Sequence, residues 1–178
     1  GSRGKSPLEN RVIGSTARNL ARTTVVPLLV DRIERGVDEP EPVRRHLFKR
    51  TLFATDFSEN AERAFRAFEY LRHATEEVTL VHVESPKDDT SDGDDPQRRL
   101  DELVERLDEL DLDAHTEVRR GDPADEILAA EEEHEPSTLL LGSRGRSRLR
   151  RLLLGSVSEE VVTRATGNVF LVPPPRTA

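Results

Sequence analysis

A glycine-rich segment that follows a short apolar run places the strongest constraint on the fold of this chain. Three leucines at 139–141 end at Gly142, and the segment continues to Gly155 and Ser156. A short apolar run bounded by a breaker is typical of a strand buried on both faces of a parallel sheet. Ser156, with Glu159 three residues later, predicts the N-cap of a helix. The segment therefore predicts a strand, a loop and a helix in that order.

The loop at residues 142–155 has the features of an anion-binding loop. Glycine lets the backbone approach a ligand closely, and the free amides and dipole of a helix start favour negative charge. The whole chain has a formal net charge of -8, yet this loop holds no acidic residue. It holds five arginines instead: Arg144, Arg146, Arg148, Arg150 and Arg151.

The same glycine spacing occurs a second time, at the start of the chain. Residues 1–15 read GSRGKSPLENRVIGS and also place nine residues between the second and third glycines. Each copy continues through a helix-like segment into an apolar run beside a proline, at 25–30 and at 169–172. Two copies with matching surroundings indicate the internal repeat of a whole domain.

Four motifs together resemble the universal stress protein family. GSRGRSRLRRLLLGSVSEEVV, which starts at Gly142, looks like the G-x2-G-x9-G-S motif of that family. The family's other landmarks have counterparts in the same order: FATDFSENAERAF at 53–65, LVHV at 80–83 and GDPADEI at 121–127. The resemblance implies one complete universal stress domain at 47–175.

The region before that domain resembles the end of another copy. Residues 1–34 look like the last loop, helix and strand of a first universal stress domain, and the acidic, proline-containing residues 35–46 predict a linker. In the family, the last strands of two domains pair antiparallel. Residues 25–30 are therefore expected to pair with 169–172 and cover that sheet edge, as in a tandem pair or a homodimer.

An alternation of strand and helix patterns from residue 47 predicts an α/β fold. It favours an open five-stranded parallel sheet with helices on both faces, Rossmann-like and similar to the adenine nucleotide alpha hydrolases. Such sheets bind ligands at the carboxyl ends of strands where the winding reverses. Thr55, Asp56 and Gly142 follow two such strands, so the acid and the glycine loop are expected at one crevice.

The family resemblance implies a site for ATP or a related adenine nucleotide, and leaves an accompanying Mg²⁺ open. Ala54, Thr55 and Asp56 would line the nucleoside, with the Asp56 carboxylate near the ribose, and Val83 would meet the adenine through its backbone. The phosphates would be held by Gly142, Arg144, Gly145, Gly155, Ser156 and Val157. Replacing Asp56 by Ala and Gly142 by Val is expected to remove the ligand without unfolding the chain.

Structural roles are the alternatives for these residues. Asp56 and Glu59 have capping-box spacing, so Asp56 could cap a helix that begins near residue 57 or 58. Gly155 and Ser156 could mark a helix start alone, and the arginines could form a solvated face or a patch for an acidic partner. A regulatory nucleotide-binding protein of the stress response is the first hypothesis. A protein-interaction module without nucleotide and a slow ATPase are the others.

No catalytic residue and no metal site is predicted. His46, His73, His82, His115 and His134 lack metal-ligand spacing, and His82 is interpreted as a hydrogen-bonded sheet histidine. The glycine loop lacks the lysine of P-loop enzymes, so rapid ATP turnover is not expected. The acidic run at 84–96 does not meet the calcium-loop spacing and predicts a solvated loop.

The composition limits which partners and which cellular compartment are expected for this chain. The excess of acidic residues argues against nucleic acid, and no apolar run reaches the roughly 18 residues of a membrane span. With no cysteine and no secretion-type start, a cytoplasmic location is expected. The chain has 35 acidic residues, and only three of its 27 basic residues are lysines: Lys5, Lys49 and Lys87. This composition suggests a chain adapted to high salt.

Overall fold

A computed structural model describes residues 15–31, 46–86, 95–145 and 154–175, and the structural statements that follow concern those residues. These residues form six helices and six strands, which alternate except that β2 follows β1 and α3 follows α2. The strands are β1 (Leu28–Val30), β2 (Arg50–Ala54), β3 (Glu77–Glu84), β4 (Asp113–Arg120), β5 (Thr138–Gly142) and β6 (Asn168–Val172). The helices are α1 (Ser15–Thr23), α2 (Glu59–Phe65), α3 (Phe68–Leu71), α4 (Pro96–Asp108), α5 (Pro123–His134) and α6 (Ser156–Arg164).

The strands form one sheet in the order β1-β6-β5-β2-β3-β4. Strands β2 to β6 are parallel to their neighbours, and β1 joins the edge antiparallel to β6. The predicted α/β fold with a mostly parallel sheet is confirmed. The sheet has six strands rather than the predicted five because residues 28–30 extend it beyond β6.

Helices cover both faces of the sheet, and each face has its own apolar core. One core joins α1, α5 and α6 to residues such as Leu139 and Leu141, and the other joins α2, α3 and α4 to Phe53 and Leu140. Alternate residues of a strand point to opposite faces, so the unbroken leucines of β5 supply both cores. All five residues of β5 are buried, as expected for a central strand.

The helical pattern after β2 forms two short helices instead of one. The spacing of apolar residues predicts one helix that buries Ala61, Ala64, Phe65, Phe68 and Leu71. The first four are buried, whereas Leu71 is only partly buried. Between Phe65 and Phe68, however, the backbone tightens into i→i+3 hydrogen bonds such as Ala67 N–H to the Ala64 carbonyl at 3.0 Å. The rings of Phe65 and Phe68 pack on each other and on Phe53, with centroids 5.6 to 6.0 Å apart. The break between α2 and α3 therefore lies where these three rings pack together.

The N-terminal strand β1 lies at the sheet edge, directly after Pro27. Its register with β6 pairs Leu28 with Leu171, Leu29 with Phe170 and Val30 with Val169. The two segments therefore meet in the orientation that the sequence predicted. Residues 1–14 of the first glycine loop and residues 35–45 of the predicted linker at 35–46 lie outside the described residues. The origin of this piece as part of a first domain stays a prediction.

The predicted acidic loop at 84–96 is shorter at both ends, because Glu84 is the last residue of β3 and Pro96 begins α4. Asp95 is the N-cap of α4 and accepts a hydrogen bond from the Gln97 amide at 3.1 Å, and Pro96 is the first helical residue. Residues 87–94 lie outside the described part. Within the described residues, none of the helices has both the length and the apolar character needed to cross a bilayer.

Candidate functional site

The acid and the glycine loop follow two strands that are direct neighbours. β2 and β5 are parallel, and Ala54 stands opposite Leu141 in their register. Because the carboxyl ends of parallel strands meet at the same sheet edge, Thr55 and Asp56 emerge beside Gly142.

A cavity of about 510 Å³ opens at this edge of the sheet. The cavity is lined by every residue that the family resemblance implied for the nucleotide site: Ala54, Thr55, Asp56, Val83, Gly142, Arg144, Gly145, Gly155, Ser156 and Val157. The strand order brings these four separate segments together. Their roles toward a ligand stay predictions.

Asp56 is not the helix cap that its spacing from Glu59 suggested. The N-cap of α2 is Ser58, whose Oγ accepts a hydrogen bond from the Ala61 amide at 3.2 Å. Phe57 has a left-handed backbone (φ 58°), which turns the chain between Asp56 and the helix. Asp56 Oδ1 accepts from the Ser58 amide at 3.0 Å and so shapes this turn.

The Asp56 carboxylate lies against the glycine loop. A β carbon on Gly145 would be only 2.8 Å from Asp56 Oδ2. A side chain at position 145 would therefore displace the carboxylate from the cavity wall. The Gly145 position and the Asp56 carboxylate form one continuous wall.

Gly142 is required by packing. A β carbon there would collide with Asn60 Nδ2 and would lie 3.1 Å from the Asn60 carbonyl group of α2. Asn60 Nδ2 donates to the carbonyl oxygens of Arg144 and Val172, at 3.2 and 3.3 Å. A valine at position 142 would therefore strain the packing of α2 on β5, and the expectation that Gly142→Val leaves the fold intact stays a prediction.

Gly155, and not Ser156, is the N-cap of α6. Its backbone is extended (φ -77°, ψ 158°), its carbonyl accepts from the Glu159 amide at 2.9 Å, and no side chain caps the helix. The Gly155 amide donates to the Ser143 carbonyl at 2.7 Å and closes the loop. The capping box of Ser156 with Glu159 is thus wrong. The first turn of α6 lines the cavity and has no side-chain cap, and the free amides of such a helix start suit an anion.

One side-chain contact anchors the start of the loop, and one buried atom of the loop has no acceptor. Ser158 Oγ donates to the Gly142 carbonyl at 2.9 Å and ties α6 to the end of β5. Arg144 Nε is buried and has no hydrogen-bond partner within the described residues. A buried guanidinium N–H without an acceptor is costly, so an acceptor at this position would be favourable. The other arginines of the loop, Arg146 to Arg151, lie outside the described residues.

Sequence reasoning missed part of the cavity lining. The unpredicted lining residues are Ala61, Val81, His82, Ser85, Asp122, Pro123, Ala124, Ile127, Leu141, Ser158 and Glu160. The GDP motif was a usable signal for Asp122, which caps α5 by accepting from the Ala124 and Asp125 amides at 3.1 and 3.3 Å. His82 is buried, with Nδ1 2.8 Å from the Thr55 carbonyl, in agreement with its predicted role as a hydrogen-bonded sheet histidine.

A second group of titratable side chains lies away from the cavity, between β4 and α5. Carboxylates of Glu117 and Glu133 come close to His134 Nε2, which is 2.8 Å from Glu117. Arg119 ion-pairs with both carboxylates and supplies the positive charge that a metal ion would otherwise bring. Burial raises the pKa of Glu117, but hydrogen bonds from His134 and Arg119 outweigh it and lower that pKa below its usual value. The group is best described as an ion-pair network.

Comparison with known proteins identifies a relationship over most of the chain. The sequence profile of the universal stress protein family matches residues 47–173. Universal stress protein MJ0577 of Methanocaldococcus jannaschii is 26% identical over 156 residues, which cover 71% of this chain and 95% of that protein. The solved structure of MJ0577 aligns with a TM-score of 0.64 at 25% identity, over 74% of this chain and 98% of that chain.

Two other solved structures add information on length and ligand. A universal stress protein from Archaeoglobus fulgidus aligns at 28% identity with a TM-score of 0.64, over 88% of this chain but only 52% of its own. A universal stress protein family protein from Arabidopsis thaliana, solved with AMP bound, aligns at 20% identity with a TM-score of 0.53, over 73% of this chain and 93% of its own. At 20% identity, the alignment with the Arabidopsis protein shows a shared fold only.

Proposed function

The chain belongs to the universal stress protein family, and from that premise we propose that it binds an adenine nucleotide in the cavity between β2, β3 and β5 and acts as a regulatory protein. One observation carries the proposal. The Asp56 carboxylate and the Gly145 backbone form adjacent walls of one cavity, and a β carbon on Gly145 would displace that carboxylate. The AMP bound to the Arabidopsis relative supports the same ligand class.

Each part of the cavity suits a different part of the nucleotide. Val83 lies at the end of β3, where the strand backbone offers amide and carbonyl groups to a purine edge. The Asp56 carboxylate can accept hydrogen bonds from ribose hydroxyls. The glycine loop and the uncapped start of α6 present backbone amides to phosphate oxygens. The cavity volume of about 510 Å³ falls in the range of small-molecule sites.

The charges of the lining favour a nucleotide bound together with a cation. Among the described lining residues, Arg144 supplies one positive charge, whereas Asp56, Asp122 and Glu160 are acidic. The buried, unpartnered Nε of Arg144 would gain a phosphate acceptor. We therefore propose ATP with Mg²⁺ as the full ligand, since the metal would offset the phosphate charge near the carboxylates.

Binding is tested on the purified protein in two ways. Native mass spectrometry should detect a co-purified adenine nucleotide, and calorimetry should show that ATP with Mg²⁺ binds and that GTP binds more weakly. Asp56→Ala should weaken ATP binding at least about tenfold, the effect of one lost hydrogen bond to a charged group. Asp108→Ala, which removes an exposed carboxylate on α4, is the matched control. Wild-type protein that binds no adenine nucleotide would refute the proposal.

We also propose that residues 15–31 are the last helix and strand of a first universal stress domain. Three exposed large apolar side chains in this piece, Leu20, Val25 and Val26, are consistent with surface that once packed, or packs, on further protein. The chain spans about half the length of the aligned Archaeoglobus fulgidus protein, yet 88% of it aligns there. The antiparallel pairing of β1 with β6 supports this assignment.

A further inference from the structure

The ring of Phe57 contacts cationic and aromatic groups from two other elements. Arg99 Cζ, on α4, lies 4.1 Å from the ring centroid. The imidazole of His82, on β3, has its centroid 4.5 Å away at an interplanar angle of 33°. Guanidinium and imidazole groups both interact favourably with an aromatic face at these separations. The loop after β2 is thereby attached to α4 and β3.

The backbone of Phe57 needs such support. Its φ of 58° is unfavourable for a bulky L-residue. The Phe57 amide donates to Thr55 Oγ1 at 3.0 Å, and the Phe57 carbonyl accepts from Arg99 Nη2 at 3.5 Å. Arg99 therefore contacts both the ring and the carbonyl of the strained residue.

The turn at Phe57 determines where the preceding carboxylate points. Asp56 Oδ1 accepts from the Ser58 amide, on the far side of Phe57. The other oxygen, Oδ2, is the atom that a β carbon on Gly145 would meet first. If the turn relaxed toward an ordinary backbone conformation, the carboxylate would leave the wall of the cavity.

The position of Arg99 in α4 is not explained by the helix itself. It lies in the first turn, where the helix dipole disfavours a positive charge. Its neighbour Arg98 forms an ion pair with Glu102 at 2.9 Å, whereas no carboxylate of a described residue pairs with Arg99. The contacts of Arg99 with Phe57 are its specific interactions in the described structure.

We infer that Arg99 is a positioning residue for the nucleotide site, acting through Phe57 to hold the Asp56 carboxylate toward the ribose. This inference rests on the proposed function, because Asp56 is the group proposed to accept the ribose hydroxyls. Arg99 lines a small separate cavity of about 150 Å³ and is not part of the nucleotide cavity lining. Its effect on binding is therefore indirect.

The test compares ATP with 2′-deoxy-ATP by calorimetry on the full chain. Wild-type protein should prefer ATP, and Arg99→Gln should weaken ATP binding about tenfold while bringing the ratio of the two affinities close to one. Arg99→Lys should keep much of the preference, because an ammonium also interacts with the ring. Arg98→Gln makes the same charge change one residue away and should bind both nucleotides as wild type does.

Two outcomes would overturn the inference. If Arg99→Gln lowers the melting temperature but keeps the wild-type preference for ATP, Arg99 only stabilises the fold. Hydrogen exchange without ligand tests the positioning role separately from the proposed function. The Ser58 amide should exchange with solvent faster in Arg99→Gln than in wild type or Arg98→Gln. If wild type binds no nucleotide, the proposed function fails, and unchanged Ser58 exchange would then overturn the positioning role as well.

Discussion

The Asp56 carboxylate and Gly145 are in such close contact that a β carbon on Gly145 would lie 2.8 Å from Asp56 Oδ2. They are 89 positions apart in the chain and meet because β2 and β5 are neighbours in the sheet. The absence of a side chain at residue 145 lets an acidic group form part of the cavity wall.

Gly145→Ala is expected to weaken ATP binding without unfolding the protein. Gly145 is exposed, and its φ does not lie in the left-handed region, so the new methyl group mainly displaces Asp56. We expect a loss of about tenfold in affinity by calorimetry. In an Asp56→Ala background the same substitution should add little, because the two residues act on one interaction. Equal, additive losses would show that Gly145 acts independently of Asp56.

Gly142→Ala is expected to destabilise the fold. The methyl group would meet Asn60 and force α2 away from β5, an overpacking effect of about 1–3 kcal/mol in the free energy of unfolding. Urea denaturation measures this change. Asn60→Ala combined with Gly142→Ala should recover only part of the loss, since the Asn60 carbonyl group remains 3.1 Å away. A fully stable Gly142→Ala protein would contradict this account of the packing.

Glu131→Ala is expected to destabilise the protein by about 2–3 kcal/mol, the effect of removing hydrogen bonds to a charged group. The buried Glu131 carboxylate accepts from the Thr166 amide at 3.0 Å and the Gly167 amide at 2.6 Å, and so joins α5 to the turn before β6. Glu131→Gln should cost less because it keeps one acceptor oxygen. Glu132→Ala, on the exposed face of α5, is the control and should leave the urea midpoint unchanged.

Glu62→Gln is expected to reduce stability at neutral pH but not in acid. Two hydrogen bonds from Arg106, at 2.7 and 2.9 Å, lower the pKa of Glu62. A lowered folded-state pKa stabilises the fold above the unfolded-state pKa, about 4.3, and that contribution disappears as pH falls through the folded-state value.

The size of the Glu62 effect should be small. Both side chains are more than a third exposed, so solvent screening limits the pair to about 0.5–1 kcal/mol. Urea denaturation between pH 3 and pH 7 should show the Glu62→Gln protein converging with wild type as the pH falls from about 4.3 toward the lowered folded-state pKa of Glu62. Glu105→Gln, exposed on α4, provides the charge-matched control. A difference from wild type that stays constant over this range would exclude the ion pair as its cause.

Removing residues 1–45 is expected to expose the outer edge of β6. Val30 and Ala21, which are buried against the α6 side of the sheet, would be lost, and the melting temperature should fall by at least about 5 °C. The free edge should also favour association through β6, detectable by light scattering after size-exclusion chromatography. A truncated protein that stays monomeric with an unchanged melting temperature would refute the covering role of β1.

Most of the fold could be predicted from local patterns. The apolar run before Gly142 predicted a strand buried on both faces. The helical spacing predicted the burial of Ala61, Ala64, Phe65 and Phe68 correctly, but Leu71 is only partly buried. These predictions succeed because burial follows the periods of strands and helices. The break between α2 and α3 and the identities of the N-caps Ser58 and Gly155 were not predicted. Residue spacing alone did not show which of several neighbouring residues is the N-cap of each helix.

The candidate site depended on the family resemblance as well as on the residues. Motif matching placed ten residues at the site, and all ten line one cavity, although their roles in binding stay predictions. Motif matching did not reveal the contact of Arg99 with Phe57 or the acceptor role of Glu131. Each of these joins elements far apart in the chain, and no local pattern marks the partner.

The sequence by itself determined the alternation of strands and helices and the glycine loop with its reversed charge, because these depend on side-chain periodicity and local backbone freedom. The tertiary structure decided which strand ends meet. Only the order of β2 beside β5 brings Asp56 against Gly145, and only the packing of α4 and β3 on Phe57 holds a strained turn behind that carboxylate. Such contacts arise when distant segments bury their apolar surfaces together, a global property that no single segment encodes.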